Sequence, residues 1–405
     1  MLVALLVHLV GTVTLWDQTF GAYLADPLWR EENAYDAGLA LMVPLHHSFN
    51  TANDDRITAF SDQVKRFLDS SSTTLATNRL ARIQYLYLVS RYLVLAHENG
   101  VEPQLCPRAA QRLYHWVNRY WRVEPAIHYH QPTFPNMRSR VIYKLNTLNP
   151  PYKHDRAIID EELYTFAIAA DLATYERISG TSNAFSPVVH DILDFGHRIF
   201  VQRSNFRPSG WLFDIGSWSD HRDYVHAGQL SLLPDLQPLP VPSISPDSSH
   251  SARMPRFLRS LEDAYPVGSP KARFFARCRS ELERQFVEHV LISPKPWFPG
   301  FRTRNFLDGR NGVYRYGYWT NGDRLGYGPY ELSGTFTLGW WAFLGTERIR
   351  QAYASQSTLW PLADSVRRTY LGPGTVRYQH PIPKMPECFT NGVREQLCVM
   401  ASELD

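Results

Sequence analysis

The sequence is poor in the features that mark cofactor, metal and redox proteins. Its 405 residues include only four cysteines, and no two of them form a CxxC pair: Cys106, Cys278, Cys388 and Cys398. Their number and spacing argue against a disulfide framework and a zinc site, although a bridge between Cys388 and Cys398 stays open. The sequence also lacks GxxxxGK(S/T), HExxH, GxSxG and a GxGxxG after a strand. We therefore expect no cofactor and no metal, and no nucleotide, nicotinamide, zinc-protease or α/β-hydrolase chemistry.

Neither sign of charge is in large excess. The 42 basic and 39 acidic residues are scattered along the chain and give a formal net charge of +3 at pH 7. Because phosphate backbones require a clustered basic stripe, nucleic acid is not an expected partner. Apolar residues make up 44% and charged residues 20%, which is typical of a folded globular protein.

Long apolar runs are also scarce, and the clearest one, residues 2–16, is too short to span a bilayer comfortably. No Lys or Arg precedes it. The nearest small residues after it, Ala22 and Ala25, follow Phe20 and Tyr23 at the position where a signal peptide needs a small residue. We therefore favour a buried first helix over an export signal, and a soluble, cytoplasmic protein without a stable membrane span over an exported one.

What the chain does have is helical periodicity. In residues 57–68, the apolar side chains of Ile57, Phe60, Val64 and Phe67 share one helix face. The same spacing predicts further helices over residues 75–96, 108–121, 158–178, 188–200, 274–291, 332–344 and 359–370. Ser186 before Pro187 and Ser269 before Pro270 predict helix starts, and Gly180 predicts a helix end.

Strand signals are sparse. Residues 126–145 predict a hairpin or extended excursion, and residues 233–256, with six prolines and many serines, predict a long surface loop. Strands do not alternate with helices and no repeat of about 34–45 residues occurs, which argues against a doubly wound sheet and a solenoid. We expect one mainly α domain over residues 1–405, an (α/α) toroid of helical hairpins with long loops and a small β excursion.

The most unusual segment is residues 297–345, which hold ten of the 23 glycines and fourteen aromatic residues. Exposed Tyr and Trp rings offer a flat apolar face with a polar tip, which suits the C–H faces and hydroxyls of a sugar. The alternative is that these rings simply pack inside a glycine-rich hairpin. The candidate sugar-binding residues in this segment are Arg310, Asn311, Tyr316, Trp319, Tyr327 and Tyr330.

Glu331 lies in the same segment, where Gly328 and Pro329 predict the start of a helix. At the third helical position its carboxylate could simply cap the helix by accepting backbone N–H bonds. The alternative is a general acid or base whose pKa is raised because neighbouring aromatic rings exclude water.

A second acidic segment, residues 210–226, offers the other carboxylate that hydrolysis of a glycosidic bond requires. A helix beginning near Ser217 would align side chains three residues apart, and a further carboxylate precedes it: Asp220, Asp223 and His226, with Asp214. Trp218 and Tyr224 are candidate sugar-binding residues beside them. The competing interpretation is an ordinary acidic first turn, and a metal site is disfavoured because the spacing matches no known signature.

A third cluster suggests a different reaction. His128 and His130 would lie on one side of a strand, near Arg138, Arg140 and Tyr143. Such a group could neutralise a uronate carboxylate and remove the proton beside it, which is polysaccharide lyase chemistry.

Together, the serial amphipathic helices, the aromatic glycine-rich loops and the isolated carboxylates near helix starts resemble the α/α-toroid glycoside hydrolases and polysaccharide lyases. The resemblance is architectural, extends over most of the chain and matches no single family's motif. It implies a cleft at one end of the ring.

We therefore expect an enzyme with an oligosaccharide or polysaccharide substrate, most simply a glycoside hydrolase with Glu331 as the acid and Asp220, Asp223 or Asp214 as the base or nucleophile. The alternatives are a lyase or uronate epimerase that uses His226 or His128, and a non-catalytic glycan-binding or scaffold protein.

Overall fold

The computed structural model describes residues 13–127, 133–181, 185–322 and 324–404. It is mainly helical, which confirms the mainly α class predicted from the sequence. The α-helices are α1 (Ala22–Ala25), α2 (Ala34–Ala40), α3 (Met42–Asn50), α4 (Asp54–Asp69), α5 (Arg79–Glu98), α6 (Leu105–Arg122), α7 (Met137–Asn146), α8 (Asp160–Ser179), α9 (Ser186–Arg203), α10 (Ser248–Ser251), α11 (Met254–Asp263), α12 (Pro270–Gln285), α13 (Glu347–Ser357), α14 (Asp364–Leu371) and α15 (Val393–Ser402).

Short elements connect these helices. The 3-10 helices are Ser72–Thr74, Lys153–Arg156, Ser333–Leu338, Trp340–Leu344 and Glu387–Phe389, and π-helical turns cover Asp17–Gly21 and Phe286–Val290. The strands form two small antiparallel pairs: β1 (Ser204–Arg207) with β2 (Gly210–Phe213), and β3 (Leu291–Ile292) with β4 (Arg302–Thr303). In the first pair Ser204 lies opposite Phe213, so the second strand of this hairpin forms the start of the acidic segment 210–226.

Helices α5 and α8 are buried on nearly all sides and pack against each other. Their interface contains a buried ion pair, in which Arg91 Nη1 of α5 lies 2.6 Å from Asp171 Oδ1 of α8. Ser90 Oγ donates a hydrogen bond of 2.6 Å to the other oxygen of Asp171. A buried charge is tolerated only when it is paired and hydrogen-bonded, so these contacts specify how the two helices dock.

Helices α5 and α8 belong to a series of elements in which each contacts the next. Helix α2 packs against α5, α5 against α8, α8 against α11, and α11 against Trp340–Leu344. That segment packs against α15, which in turn contacts α3. Gly38 allows the close approach of α2, because a Cβ atom there would lie 2.7 Å from the backbone oxygen of Gln84 in α5.

A second layer covers these helices. Helix α4 contacts α3 and α6, α6 contacts α5 and α8, α9 covers α8, α12 covers α11, and α13 covers α15. The main hydrophobic core includes residues from Trp16 near the beginning of the described chain to Leu404 near its end. A smaller core beneath the loops joins the two segments singled out from the sequence: Tyr224, Ala227, Ile244, Phe306, Tyr314 and Leu332.

Several predicted elements are confirmed. The periodic segments 57–68, 75–96, 108–121, 158–178, 188–200 and 274–291 correspond to α4, α5, α6, α8, α9 and α12, the last of them continued by a π-helical turn. Gly180 ends α8 in the left-handed region with φ of 67°. Ser269 accepts a hydrogen bond from the backbone N–H of Ala272 and caps α12.

Other predictions were wrong. The expected strand around residues 140–143 is part of α7, and only an isolated bridge joins Ala126 to Phe134. Residues 332–344 form two 3-10 helices rather than one α-helix, because Gly339 between them has φ of 84°. Helix α14 begins only at Asp364, after Pro361, whose ring and missing N–H disfavour a helix through it.

Two predictions for the segments between β2 and α11 were also wrong. Residues 214–228 form a series of turns rather than a helix starting at Ser217, because Asp214 and Gly216 both have positive φ. The long loop is irregular only over residues 233–247. Its last part folds into α10 and the start of α11.

Candidate functional site

Three adjoining cavities lie where the core helices begin. The first has a volume of about 340 Å³ and is lined by the first residues of α5, α8 and α11, among them Leu80, Asp160 and Met254. The second, of about 260 Å³, is lined by Asp36 of α2 and Arg394 of α15. A third, of about 130 Å³, lies beside Glu331. The N-terminal ends of these helices therefore lie at neighbouring cavities that share Arg315 as a lining residue.

The first two cavities differ in charge. The first, called the acidic cavity below, is lined by five carboxylates and one arginine: Asp160, Glu161, Asp214, Asp223 and Asp247, with Arg315. The second, called the basic cavity, is lined by four arginines and one carboxylate: Arg253, Arg315, Arg377 and Arg394, with Asp36. Arg315 and His250 line both cavities and form their shared wall.

Aromatic rings form one side of the acidic cavity. Trp218 stacks on Tyr224 with ring centroids 5.4 Å apart and an interplanar angle of 22°. Tyr224 meets Tyr314 edge to face at 5.3 Å, which ties the turns after β2 to the glycine-rich segment. Such a surface can hold the apolar face of a sugar ring while its hydroxyls reach the carboxylates.

His250 is held against a buried carboxylate. Asp247 is 1% exposed, caps α10, and accepts hydrogen bonds of 3.0 Å from the backbone N–H groups of Ser249 and His250. Its second oxygen accepts the hydroxyl of Tyr224 at 2.8 Å and lies 2.9 Å from His250 Nδ1. Burial would raise the pKa of Asp247, but His250 and the hydrogen bonds outweigh it and hold this pKa well below its usual value.

The result is an oriented imidazole on the shared wall. Nδ1 of His250 is engaged by Asp247, and its side chain remains 27% exposed. Within the described residues, Nε2 of His250 makes no hydrogen bond. A carboxylate on Nδ1 sets the tautomer and stabilises the imidazolium, which is the arrangement that a proton-transfer histidine requires.

Asp36 pairs with an arginine of the basic cavity through only one of its two carboxylate oxygens. Arg377 Nη2 donates to Asp36 Oδ1 at 2.9 Å, whereas Asp36 Oδ2 is buried and has no hydrogen-bond partner among the described residues. Burial raises the pKa of Asp36, against the opposing effect of Arg377. This carboxyl group therefore keeps its proton to a higher pH than an ordinary aspartic acid.

Arg315 and Asp223 form the ion pair of the shared wall. Arg315 Nε donates to Asp223 Oδ2 at 2.9 Å, and the Arg315 backbone N–H donates to the carbonyl oxygen of Asp223 at the same distance. Asp223 Oδ1 is buried without a hydrogen-bond partner in the described part of the chain. This pair brings together the acidic segment 210–226 and the glycine-rich segment 297–345.

Two other candidate carboxylates of segment 210–226 make structural contacts. Asp214 lines the acidic cavity, but its oxygens accept from the backbone N–H of Ile158 at 2.8 Å and from Ser217 Oγ at 2.6 Å. Asp220 lies outside the three cavities and accepts from the backbone N–H of Lys153 at 2.6 Å. Although burial opposes it, hydrogen bonding to His154 lowers the pKa of Asp220. Both side chains therefore fix the entry to α8.

Glu331 lines the third cavity and makes the contacts of a cap. Its Oε2 accepts the backbone N–H of Gly328 at 2.8 Å, and its Oε1 pairs with Arg324. Both oxygens are thus occupied by this turn. His226 lies outside the cavities, packed against Tyr316 at 4.7 Å, and burial lowers its pKa. The catalytic roles considered for these two residues stay predictions.

Some of the candidate sugar-binding residues line the cavities and others do not. Trp218 and Tyr224 line the acidic cavity, and Tyr327 lines the basic and third cavities. The others lie outside the cavities, where Trp319 is 70% exposed and Tyr316 accepts the backbone N–H of Leu236 at 3.2 Å.

Three further candidates make local contacts. Asn311 Oδ1 accepts the backbone N–H of Tyr330 at 3.0 Å, and the Tyr330 ring lies 4.4 Å from the Arg302 guanidinium. Arg310 pairs with Asp308 at 3.4 Å. These contacts account for the three side chains as parts of a turn and its neighbours.

The described arginines of the alternative histidine cluster, Arg138 and Arg140, lie outside the three cavities. His128 and His130 lie outside the described residues. Arg138 pairs with Asp191 at 2.7 Å, and Arg140 is fully buried against Glu162 at 2.8 Å. The two arginines are therefore engaged in structural ion pairs.

Several cavity residues were absent from the sequence-based site, among them Asp36, Asp247, His250 and Arg394. A local signal existed for one pair, since Asp247 stands three residues before His250 and aspartate is a preferred helix cap. Both residues lie in residues 233–256, which the sequence predicts to be a surface loop and not a helix start. Asp36 and Arg394 are distant in sequence, so nothing local connects them.

Comparison of the chain with models of known protein families, with curated proteins and with solved structures gives no match. Within the described ranges, no cluster of three or more His, Cys, Asp or Glu side chains is arranged to hold a metal ion. None of the described helices is both long and apolar enough to cross a bilayer. All four cysteines are free and buried.

Proposed function

We propose that the core helices form an (α/α) toroid whose cleft is the joined acidic and basic cavities. The contacts from α2 through α5, α8, α11, Trp340–Leu344 and α15 return through α3 to the starting point, as a closed ring requires. A second layer of helices outside such a ring supports the same arrangement. The N-terminal ends of the inner helices then surround the cleft.

We infer that the protein is a glycoside hydrolase, with Asp36 and His250 as its proton-transfer groups. The observation that carries this proposal is that both residues line the basic cavity while their environments prepare them for opposite roles. Burial favours the protonated form of Asp36, whereas the Asp247 carboxylate holds Nδ1 of His250, so that Nε2 is the nitrogen left to accept a proton. Titratable groups prepared in opposite ways are typical of an acid and base pair.

The reaction follows from these roles. Asp36 donates its proton to the glycosidic oxygen as the bond to the anomeric carbon breaks. His250 Nε2 accepts a proton from the water whose oxygen bonds to that carbon, and Asp247 stabilises the resulting imidazolium. Trp218, supported by the buried ring of Tyr224, stacks on a neighbouring sugar. The products are a sugar with a new reducing end and the alcohol of the departing sugar.

Release of reducing ends from a panel of oligosaccharides tests this proposal. We expect Asp36→Asn and His250→Gln each to lower kcat about 10²–10⁴-fold on any substrate that the protein cleaves. The matched controls are Asp308→Asn, a buried carboxyl group outside the cavities whose pKa burial also raises, and His289→Gln. Full activity in both cavity variants contradicts the proposal. An equal loss of turnover in the control variants also counts against it, because the effect would then not be specific to Asp36 and His250.

A lyase is the second candidate, because the hydroxyl of Tyr224 and the imidazole of His250 meet on one carboxylate beside Arg315. In that reaction His250 removes the proton next to a sugar carboxylate, the electron pair forms a carbon–carbon double bond as the bond to the glycosidic oxygen breaks, and the proton passes to the departing oxygen, so no water is consumed. The product carries a double bond and absorbs in the ultraviolet. Absorbance that rises with reducing ends supports the lyase, whereas reducing ends without absorbance support the hydrolase.

A non-catalytic glycan-binding protein is the remaining outcome. In that case a glycan raises the melting temperature without being cleaved, because a ligand that binds only the folded state stabilises it.

A further inference from the structure

One of the four arginines that line the basic cavity differs from the others. Arg315 pairs with Asp223 and Arg377 with Asp36, each at 2.9 Å, and Arg253 pairs with Asp160. Arg394 has no carboxylate within 4.0 Å among the described residues.

Arg394 is held by the Phe389 ring, whose centroid lies 5.3 Å from its guanidinium carbon, and by long contacts to sulfur and hydroxyl groups. Its Nε lies 3.4 Å from Cys388 Sγ, its Nη1 lies 3.4 Å from Thr337 Oγ1, and its Nη2 lies 4.0 Å from Met385 Sδ. Sulfur is a poor hydrogen-bond acceptor, and a guanidinium has five N–H donors to satisfy. The cation is therefore incompletely solvated by the protein.

Burial makes that arrangement costly in free energy. Arg394 is only 8% exposed, and an uncompensated buried charge is strongly unfavourable. The backbone adds to the positive potential, because Arg394 is the second residue of α15, and a helix N-terminus favours an anion. Arg394 lines both the basic and the third cavity, so a bound ligand can reach it.

We propose that Arg394 binds an anionic group on the saccharide substrate, either the carboxylate of a uronate or a sulfate ester. Both present oxygens that accept paired hydrogen bonds from a guanidinium. That the ligand is a saccharide rests on the proposed function, whereas its negative charge is inferred from Arg394 itself. The acidic cavity then holds an uncharged sugar of the same oligosaccharide, because its five carboxylates would repel an anionic sugar.

The test is calorimetric binding of three oligosaccharides of equal length: a neutral one, its sulfated form and a uronate oligomer. The His250→Gln variant is used so that no ligand is consumed. We expect at least one acidic ligand to bind about tenfold or more tightly than the neutral one, and the favoured ligand identifies the group. Arg394→Gln should abolish this preference, and Arg394→Lys, which keeps the charge but not the paired donors, should reduce it.

Arg348→Gln, on the exposed side of α13, is the control that should leave the preference unchanged. If Arg394→Gln does not fold, the same preference should still weaken as salt rises from low to high concentration with Arg394 intact. Equal binding of acidic and neutral ligands overturns the inference, as does a preference that survives Arg394→Gln. Acidic preference without cleavage of any glycan contradicts only the proposed function, and cleavage without that preference contradicts only this inference.

Discussion

The acidic and basic cavities share one wall and are both built on the N-terminal ends of core helices, yet their charges are opposite. In the acidic cavity the carboxylates come largely from the turns after β2 and from the cap of α10. In the basic cavity the arginines come from α15, the start of α11 and loops late in the chain. The comparison teaches that core helices support both cavities, whereas the first residues of these helices and the loops beside them determine the charge of each cavity.

The largest expected effect comes from breaking the anchor of the shared wall. Asp247→Asn removes a buried anion that pairs with His250, so we expect a loss of roughly 3–5 kcal/mol in the free energy of unfolding at pH 7. The pKa of Asp247 is depressed in the folded state, and its contribution is therefore present above an unfolded pKa of about 3.9 and lost as pH falls below it. Urea unfolding at pH 7 and pH 3.5 measures both effects. A wild-type-to-variant difference that does not shrink at the lower pH contradicts this account.

The basic cavity can be examined through the pH dependence of activity. Burial raises the pKa of Asp36, and the proposed acid must be protonated, so activity should fall as pH rises through that raised pKa. Asp36→Asn should lower kcat about 10²-fold or more and remove this alkaline limb. A pH profile of kcat for both proteins checks the prediction. An alkaline limb that persists unchanged in the variant assigns it to another group.

The aromatic side of the acidic cavity should contribute to affinity more than to catalysis. Trp218→Ala removes the ring that stacks on Tyr224, and we expect KM to rise up to about tenfold with little change in kcat. Steady-state kinetics measures this split, with Trp319→Ala, an exposed ring outside the cavities, as the control. If Trp319→Ala has the larger effect, the sugar lies along the glycine-rich loop instead.

The smallest effect is expected at the carboxylate outside the cavities. Asp220→Asn should change kcat/KM by less than about twofold, because its hydrogen bonds within the described residues go to the turn Lys153–Arg156 and not to the cleft. Its stability should fall by about 1–3 kcal/mol, since the variant loses charged hydrogen bonds. Parallel measurement of activity and melting separates the two. Loss of turnover in a stable variant would return Asp220 to the catalytic site.

The sequence could predict those parts of the fold that depend on local spacing. Helices α4, α5, α6, α8, α9 and α12 follow from apolar residues three and four apart, since each buries one face or more. Residues 140–143 include β-branched and aromatic residues that favour a strand locally, whereas packing against α6 and α9 makes them helical. Gly339 divides residues 332–344 because it adopts positive φ, which spacing alone does not reveal.

The site was less predictable, for a related physical reason. The cluster in residues 210–226 was noticed because its acidic residues are close in sequence, but two of its carboxylates serve backbone N–H groups. His250 becomes a candidate only once Tyr224 and Asp247 are seen to meet, 23 residues apart along the chain. Asp36 and Arg377 are 341 residues apart, so their pairing is a product of tertiary packing.

The central claim is that the two cavities form one substrate cleft divided by His250 and Arg315. A crystal structure of the His250→Gln variant with a bound acidic oligosaccharide tests it most directly. We predict a sugar chain that crosses the shared wall, with one ring on Trp218 in the acidic cavity and an anionic group on Arg394 in the basic cavity. A ligand bound wholly outside both cavities, or one confined to the surface around Trp319, would contradict the claim.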